Sequence, residues 1–291
     1  MTPDFHEDPG AFGGLPETPL YAASRFAVLP LAYDGTSTWL KGADKGPAAM
    51  LAASANMELY DIETDCEPWR EGIVTLKPMG GHASPEDMVA DVRRVTRGLL
   101  EDGKTVVGLG GEHSVSIGLI QEHAARYPGL VVLQFDAHSD TRPEYEGSPN
   151  NHACVMARAA EVCDYVQVGI RSMDAAETAT LDRKRTLFGH DLGSPEQVLE
   201  RILPLLDGPV YITIDLDVLD PAEMPSTGTP EPGGMHYRDL VRILAGVCRS
   251  KQVVGFDVVE LMPGDSNRAP DFLAARLVYQ LMAYLTVYVK E

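Results

Sequence analysis

Short apolar runs recur along the chain, most of them apolar at successive rather than alternate positions. They lie at residues 26–31, 73–76, 105–109, 130–135, 165–169, 186–189, 210–214 and 252–257, and several are rich in valine and isoleucine. Runs of this length and composition suit strands buried on both faces, as in a parallel sheet covered by helices. The longer segments between them carry helix signals. Gly46-Pro47 opens a predicted helix over 46–60, with proline in a first turn where its missing N–H is harmless. Ser84, with Asp87 three residues on, predicts the N-cap of a helix to about residue 101, closed by Gly103. Further helices are predicted at 116–126, 152–160 and 175–185, from Ser194, at 237–247 and at 272–289. Strands alternating with helices predict an α/β protein: a three-layer α/β/α arrangement with an eight-stranded, mostly parallel sheet, forming a single domain over residues 21–291. Residues 1–20, rich in proline, glycine and acids, read as an N-terminal arm, mobile or ordered against a neighbouring subunit.

Composition narrows the partners more than the fold. Of 291 residues 44% are hydrophobic, ample for a sizeable core, and 24 Lys plus Arg stand against 43 Asp plus Glu, a formal net charge of -19. That balance argues against nucleic acid and anionic membrane surfaces as partners, since both need basic patches. It is compatible with a cationic substrate, although most of these acids serve solubility. No run is long and apolar enough to span a bilayer, and residues 1–14 have neither the basic region nor the apolar core of a signal peptide. The four cysteines, Cys66, Cys154, Cys163 and Cys248, show no paired spacing and read as reduced thiols of a cytoplasmic protein.

Three of the strands end in residues with a chemistry of their own. The run at 130–135 is followed by Asp136, His138 and Asp140. Positions two apart on an extended chain point the same way, so these groups should converge just beyond the strand. The bland alternative is a turn rich in Asp and Ser. The run at 105–109 is followed by Gly110, Gly111 and then His113, which alone could be a histidine ordered by a turn. The run at 210–214 ends in Asp215 and Asp217, while Asp220-Pro221 reads as the turn beyond. Ligand sites in open α/β sheets form outside the carboxyl ends of the strands. Four crowded carboxylates would raise one another's pKa values unless cations intervene. The six-ligand set is large for one ion, and oxygen and imidazole donors without cysteine favour a hard divalent ion, with Mn²⁺ foremost. Two-ion sites of this kind activate water for hydrolysis.

GGEHS (112–114 at its end), DAHSD (136–140) and DLDVLD (215–220) resemble, in order and spacing, the metal motifs of the ureohydrolase family, the arginases, agmatinases and their relatives. The resemblance runs over nearly the whole chain and includes YDGTSTWLKGADKGP (33–47), NHACVMAR (151–158), STGTPEPGG (226–234) and GFDVVE (255–260). STGTPEPGG and NHACVMAR look most like agmatinases. The resemblance implies an eight-stranded sheet, a homotrimer or homohexamer and two Mn²⁺ per chain. It implies Asp136 and Asp215 as carboxylates bridging both ions, His113 and Asp140 as ligands of one, and His138 and Asp217 as ligands of the other. His152 matches the family's proton-transferring histidine, though by itself it would pass for an ordinary helix-start residue. Glu260 matches the carboxylate that holds the substrate guanidinium, and Thr229 a residue lining the substrate end. Asp257, on the same run as Glu260, reads as structural.

The implied reaction is hydrolysis of agmatine to putrescine and urea, a step of polyamine biosynthesis. Aminopropylagmatine, guanidinobutyrate and arginine are the alternative substrates. A different metal-assisted hydrolase or a non-catalytic relative is also conceivable, but the intact ligand set opposes the latter. The loop 141–150 must pass the mouth of the site, and its Glu144 and Glu146 are expected to meet the far amine of the substrate and repel a carboxylate. Arg142 is the nearby cation able to hold a carboxylate, and is read as engaged by those acids. Two departures from the family, Leu261-Met262-Pro263 after Glu260 and Ala153-Cys154 after His152, leave fine selectivity open; nothing in the sequence makes Cys154 a nucleophile.

Overall fold

The computed structural model describes residues 11–15 and 19–288. Nine strands form one sheet: β1 Phe26–Ala32, β2 Ile73–Thr75, β3 Met79–Gly80, β4 Thr105–Gly110, β5 Val131–Phe135, β6 Asp164–Ile170, β7 Thr186–Phe188, β8 Val210–Asp215 and β9 Val253–Val259. All pairings are parallel, in the order β2-β1-β4-β9-β8-β5-β6-β7, with β3 beside the end of β1. The eight expected strands are all present. The ninth, β3, is two residues long and leaves no periodicity to read.

Alternation along the strands feeds two apolar layers. Phe26 and Val28 of β1 and Val131, Leu133 and Phe135 of β5 face one layer. Ala27, Leu29 and Leu31, with Val132, face the other. The first layer is covered by α1 Gly46–Ser54, α5 Pro195–Ile202, α6 Tyr237–Ser250 and α7 Ala269–Val287. The second is covered by α2 Pro85–Glu101, α3 Val115–Arg126 and α4 Val155–Ala159. Burial on both faces is why the strands lack polar alternation. Ser84 caps α2 as expected, its Oγ accepting from Asp87 N at 3.1 Å.

Several elements differ from their expected bounds. α1 ends at Ser54, short of residue 60, and α7 starts at Ala269 with Pro270 in its first turn. The helix expected over 175–185 is a single 3-10 turn, Ala175–Ala179. There the Glu177 carboxylate is taken by Ser139 and Thr141, and Asp182 accepts from Lys184 N to form a turn instead. Such local side-chain bonds compete with helix propagation. Most of the expected arm lies outside the described residues, but Phe12 is fully buried and its N–H donates to Thr75 Oγ1 at 2.9 Å. Among the described residues no helix is long and apolar enough to cross a membrane.

Because every strand runs the same way, β4, β9, β8 and β5 end side by side at the centre of one edge. The chain reaches β5 directly after β4, but β9 and β8 later fill the gap between them. Ligands bind at such reversals of strand order.

Candidate active site

The carboxyl end of β5 builds one half of the site. β5 stops at Phe135, and Asp136 N still donates to Val168 O at 3.1 Å. Asp136 Oδ1 then accepts from His138 N at 2.6 Å, which turns the backbone around that carboxylate. Asp140 sits at φ 50. The three side chains therefore converge through a tight loop, and not by alternation on an extended strand as the spacing suggested. β8 builds the other half. Asp215 is its last residue, its Oδ1 accepts from Asp217 N at 2.9 Å, and Asp217 stands on a 3-10 turn. Asp217 Oδ1 accepts from Ala137 N at 3.0 Å, stitching the two halves together.

The potential ligands form two groups of three that share Asp136: His113, Asp136 and Asp140, and Asp136, His138 and Asp217. His113 Nδ1 lies 3.1 Å from Asp136 Oδ2, 3.1 Å from Asp140 Oδ2 and 3.5 Å from Asp215 Oδ2. His138 Nδ1 lies 2.9 Å from Asp217 Oδ2 and 3.6 Å from Asp136 Oδ1. Burial, reinforced by Asp217 and Asp136, pushes Asp215 well above the carboxylate range. Burial and the charge of Asp136 push Asp140 up to about 7. Asp136 is held low against its burial by the two histidines.

His113 provides the sharpest test of whether these donors suit metal. Its Nε2 meets Thr213 Oγ1 at 2.9 Å, and that hydroxyl donates to Asp257 Oδ1 at 2.6 Å. Asp257 Oδ2 is held by Tyr211 O–H at 2.7 Å. A hydroxyl with its proton on Asp257 can only accept from Nε2–H, so in the neutral ring, the form that binds metal, Nδ1 is the unprotonated nitrogen. That atom is buried, without a hydrogen-bond partner, and faces three carboxylates. A bare imidazole nitrogen among carboxylate oxygens is a ligand set for divalent cations, and orientation by a hydrogen bond at the far nitrogen is usual for metal-binding histidines. The donor set suits a divalent ion at each of the two groups, which have Asp136 in common.

A cavity of about 320 Å³ opens above the cluster. His152, Thr229 and Glu260 line it together with His113, His138, Asp140, Asp215 and Asp217, while Asp136 lies fully buried beneath. Glu260 takes φ 65 immediately after β9, and its Oε1 accepts from His113 N at 2.7 Å. Glu144 does not line the cavity: it is exposed. The turn that pairs Tyr145 with Ser148, with Glu146 at φ 48, leaves both glutamates on the solvent side. Arg142 and Tyr145 face in, the guanidinium 4.2 Å from the Tyr145 ring centroid. Arg142 is engaged not by Glu144 or Glu146 but by Glu177, at 3.5 Å. The acids that reach the cavity mouth are Asp174 and Glu177, which the sequence reading missed.

Residues 24–284 match the arginase family. The chain belongs to that family. It is 41% identical over 271 residues to the N(1)-aminopropylagmatine ureohydrolase of Thermus thermophilus, spanning 91% of this chain and 92% of that protein. It is 35% identical over 259 residues to the agmatinase of Bacillus anthracis, spanning 84% of this chain and 86% of that protein. Among solved structures, the agmatine ureohydrolase of Thermoplasma volcanium superimposes with a TM-score of 0.85 at 30% identity, covering 93% of this chain and 92% of that one. The expected resemblance to agmatinase-type ureohydrolases, and the α/β fold that goes with it, agree with these similarities.

Within this arginase-family site several supporting residues are polar side chains on buried strands. Gln134 Nε2 donates to Asp136 Oδ2 at 2.7 Å, and Gln167 Nε2 donates to Gln134 Oε1 at 2.6 Å. Thr186 completes this row across β5, β6 and β7. Glu112 and Thr36, beside His152, were also missed, although both sit inside the quoted motifs GGEHS and YDGTSTW. Burial pushes His152 down to about 4, with the charges of His138 and His113 adding to it. Cys154 is buried and its thiol is pushed up to about 11 by burial, so it is inert. Asp220 binds the N–H groups of Ala222, Gly233 and Gly234, away from the ligand cluster.

Proposed function

We propose that this chain hydrolyses the guanidino group of an amine-tailed substrate without a carboxylate, releasing urea, and does so with two manganese ions. The observation that carries this reading is the paired ligand cluster beneath a cavity with Glu260 at its base. His113, Asp136 and Asp140 would hold one ion and His138, Asp136 and Asp217 the other, with Asp215 beside His113. When bound, the metal pair supplies Lewis acidity and an activated water. Glu260 offers a carboxylate to the planar guanidinium, which pairs with such a group through two hydrogen bonds. His152, at the cavity wall, moves a proton at its ring nitrogen during loss of the amine.

Substrate choice follows from charge at the mouth. Away from the ligands and Glu260, Arg142, Asp174 and Glu177 are the charged groups of the lining, which leaves one negative charge in excess. Glu177 and the Tyr145 ring already occupy Arg142. An ammonium is therefore favoured there over a carboxylate. Agmatine satisfies this, and so does its aminopropyl derivative. The 41% identity to an enzyme named for N(1)-aminopropylagmatine favours the longer amine. Urea release by the manganese-reconstituted protein is the test: turnover of either amine supports the reading, and no urea from either overturns it.

A further inference from the structure

Two other chain segments bring a hydroxyl and a carboxylate to His152. Glu112, fully buried in the loop after β4, accepts from Ser114 Oγ through Oε1 and from Thr36 Oγ1 through Oε2. Thr36, in the loop after β1, is 9% exposed. Its Oγ1 accepts from His152 N at 3.0 Å and lies 3.1 Å from His152 Nδ1. Glu112 Oε2 is itself 3.6 Å from Nδ1.

A threonine hydroxyl has one proton and two lone pairs, and a carboxylate only accepts. With Glu112 ionised, the Thr36 proton is committed to it, so towards the ring Thr36 can only accept. Nδ1 must then carry the imidazole proton, and Nε2 is left as the unprotonated nitrogen.

We propose that Glu112 and Thr36 are positioning residues that lock His152 as the tautomer protonated at Nδ1, leaving Nε2 bare for proton transfer in the cavity. The relay works in both states of the ring. With the ring neutral it presents a lone pair. Once Nε2 has taken a proton, the Nδ1–H still points through Thr36 to a buried carboxylate, which stabilises the imidazolium. A carboxylate that fixes the tautomer of a catalytic histidine is worth several orders of magnitude in turnover where it has been removed. This inference rests on the reading of His152 as the proton-transferring group.

The test is a long-range proton–nitrogen correlation spectrum of histidine-labelled, zinc-substituted protein, with His152 assigned by its loss in His152→Ala. The wild type should show a proton on Nδ1 and none on Nε2. In Glu112→Gln the amide can donate to Thr36, whose proton then turns to Nδ1, so the ring proton should move to Nε2. Thr36→Val, remote in sequence from every ligand, should also lose the fixed tautomer, and Thr36→Ser should restore it. In the manganese enzyme both disruptive variants should lose kcat on the order of 10²- to 10⁴-fold with little change in KM and with metal content retained. A wild-type ring protonated at Nε2, or variants that keep Nδ1–H, would overturn the relay. A shifted tautomer with turnover unchanged would uphold the relay and overturn the role given to His152.

Discussion

Replacing Thr213 with valine keeps the shape of one β8 side chain and deletes a single hydroxyl. In the native chain that hydroxyl accepts from His113 Nε2–H at 2.9 Å and donates to Asp257 Oδ1 at 2.6 Å. Both partners are fully or almost fully buried, so neither regains water. A buried polar group left unpaired costs about 1–3 kcal/mol. Part of that cost can be relieved by moving the His113 proton to Nδ1, which faces Asp136, Asp140 and Asp215. A proton there occupies the ligand position, so the cost reappears in metal binding. Loss of such an orienting partner typically weakens metal affinity by about 10- to 100-fold, or roughly 1.4–2.8 kcal/mol, which agrees with the hydrogen-bond figure. Calorimetric titration with Mn²⁺ should show the site built on His113 weakened by that factor and the site built on His138 weakened less. Equal weakening at both sites would point to a general loosening of β8. Unchanged affinity at both would refute the tautomer reasoning.

Asp136→Asn should lower the content of both metals, since Asp136 belongs to both ligand groups; full binuclear occupancy by elemental analysis would remove it from the bridging position. His152→Ala should keep both metals and lose turnover on the order of 10²- to 10⁴-fold; unchanged turnover would leave His152 a structural residue. A further expectation concerns acid stability. His123 is fully buried against Tyr211 with ring centroids 4.5 Å apart, and burial pushes its pKa down to about 4. The unfolded chain binds this proton from about pH 6.5 downward and the native chain does not, so stability falls as pH drops from about 6.5 to about 4, by on the order of 3 kcal/mol. Denaturant titrations across that window should show the loss, and His123→Phe should flatten it.

What the sequence revealed and what it hid divide along physical lines. The strands were legible because burial on both faces leaves unbroken apolar runs, and the candidate ligands because charged groups at such strand ends stand out. The reason given for their convergence was nonetheless incomplete: Asp136 folds the loop about its own carboxylate, and Asp140 needs a positive φ. Thr213, Gln134 and Gln167 escaped notice, and Asp257 was read only as structural, because a polar residue inside a strand reads as an interruption; its value depends on a neighbour brought alongside by strand order. Glu144 was misassigned because loop sequence does not reveal which way a side chain points. The turn at Tyr145–Ser148 sends the glutamates outward, and the cavity acids come instead from the loop after β6. The same loop bears on the missing helix at 175–185: a capping box of Asp174 and Glu177 starts a 3-10 turn, but Asp182 accepts from Lys184 N and turns the chain instead of continuing it.

The most direct test of the account compares kcat/KM for urea release by the manganese-loaded enzyme from aminopropylagmatine, agmatine, guanidinobutyrate and arginine. The excess negative charge at the mouth, with Arg142 held by Glu177, predicts that the two amine-tailed compounds exceed both carboxylates by at least about 100-fold, the equivalent of roughly 2.8 kcal/mol of unfavourable charge contact. Comparable or faster turnover of arginine or guanidinobutyrate would contradict it, and would mean that Arg142 is free to receive a carboxylate.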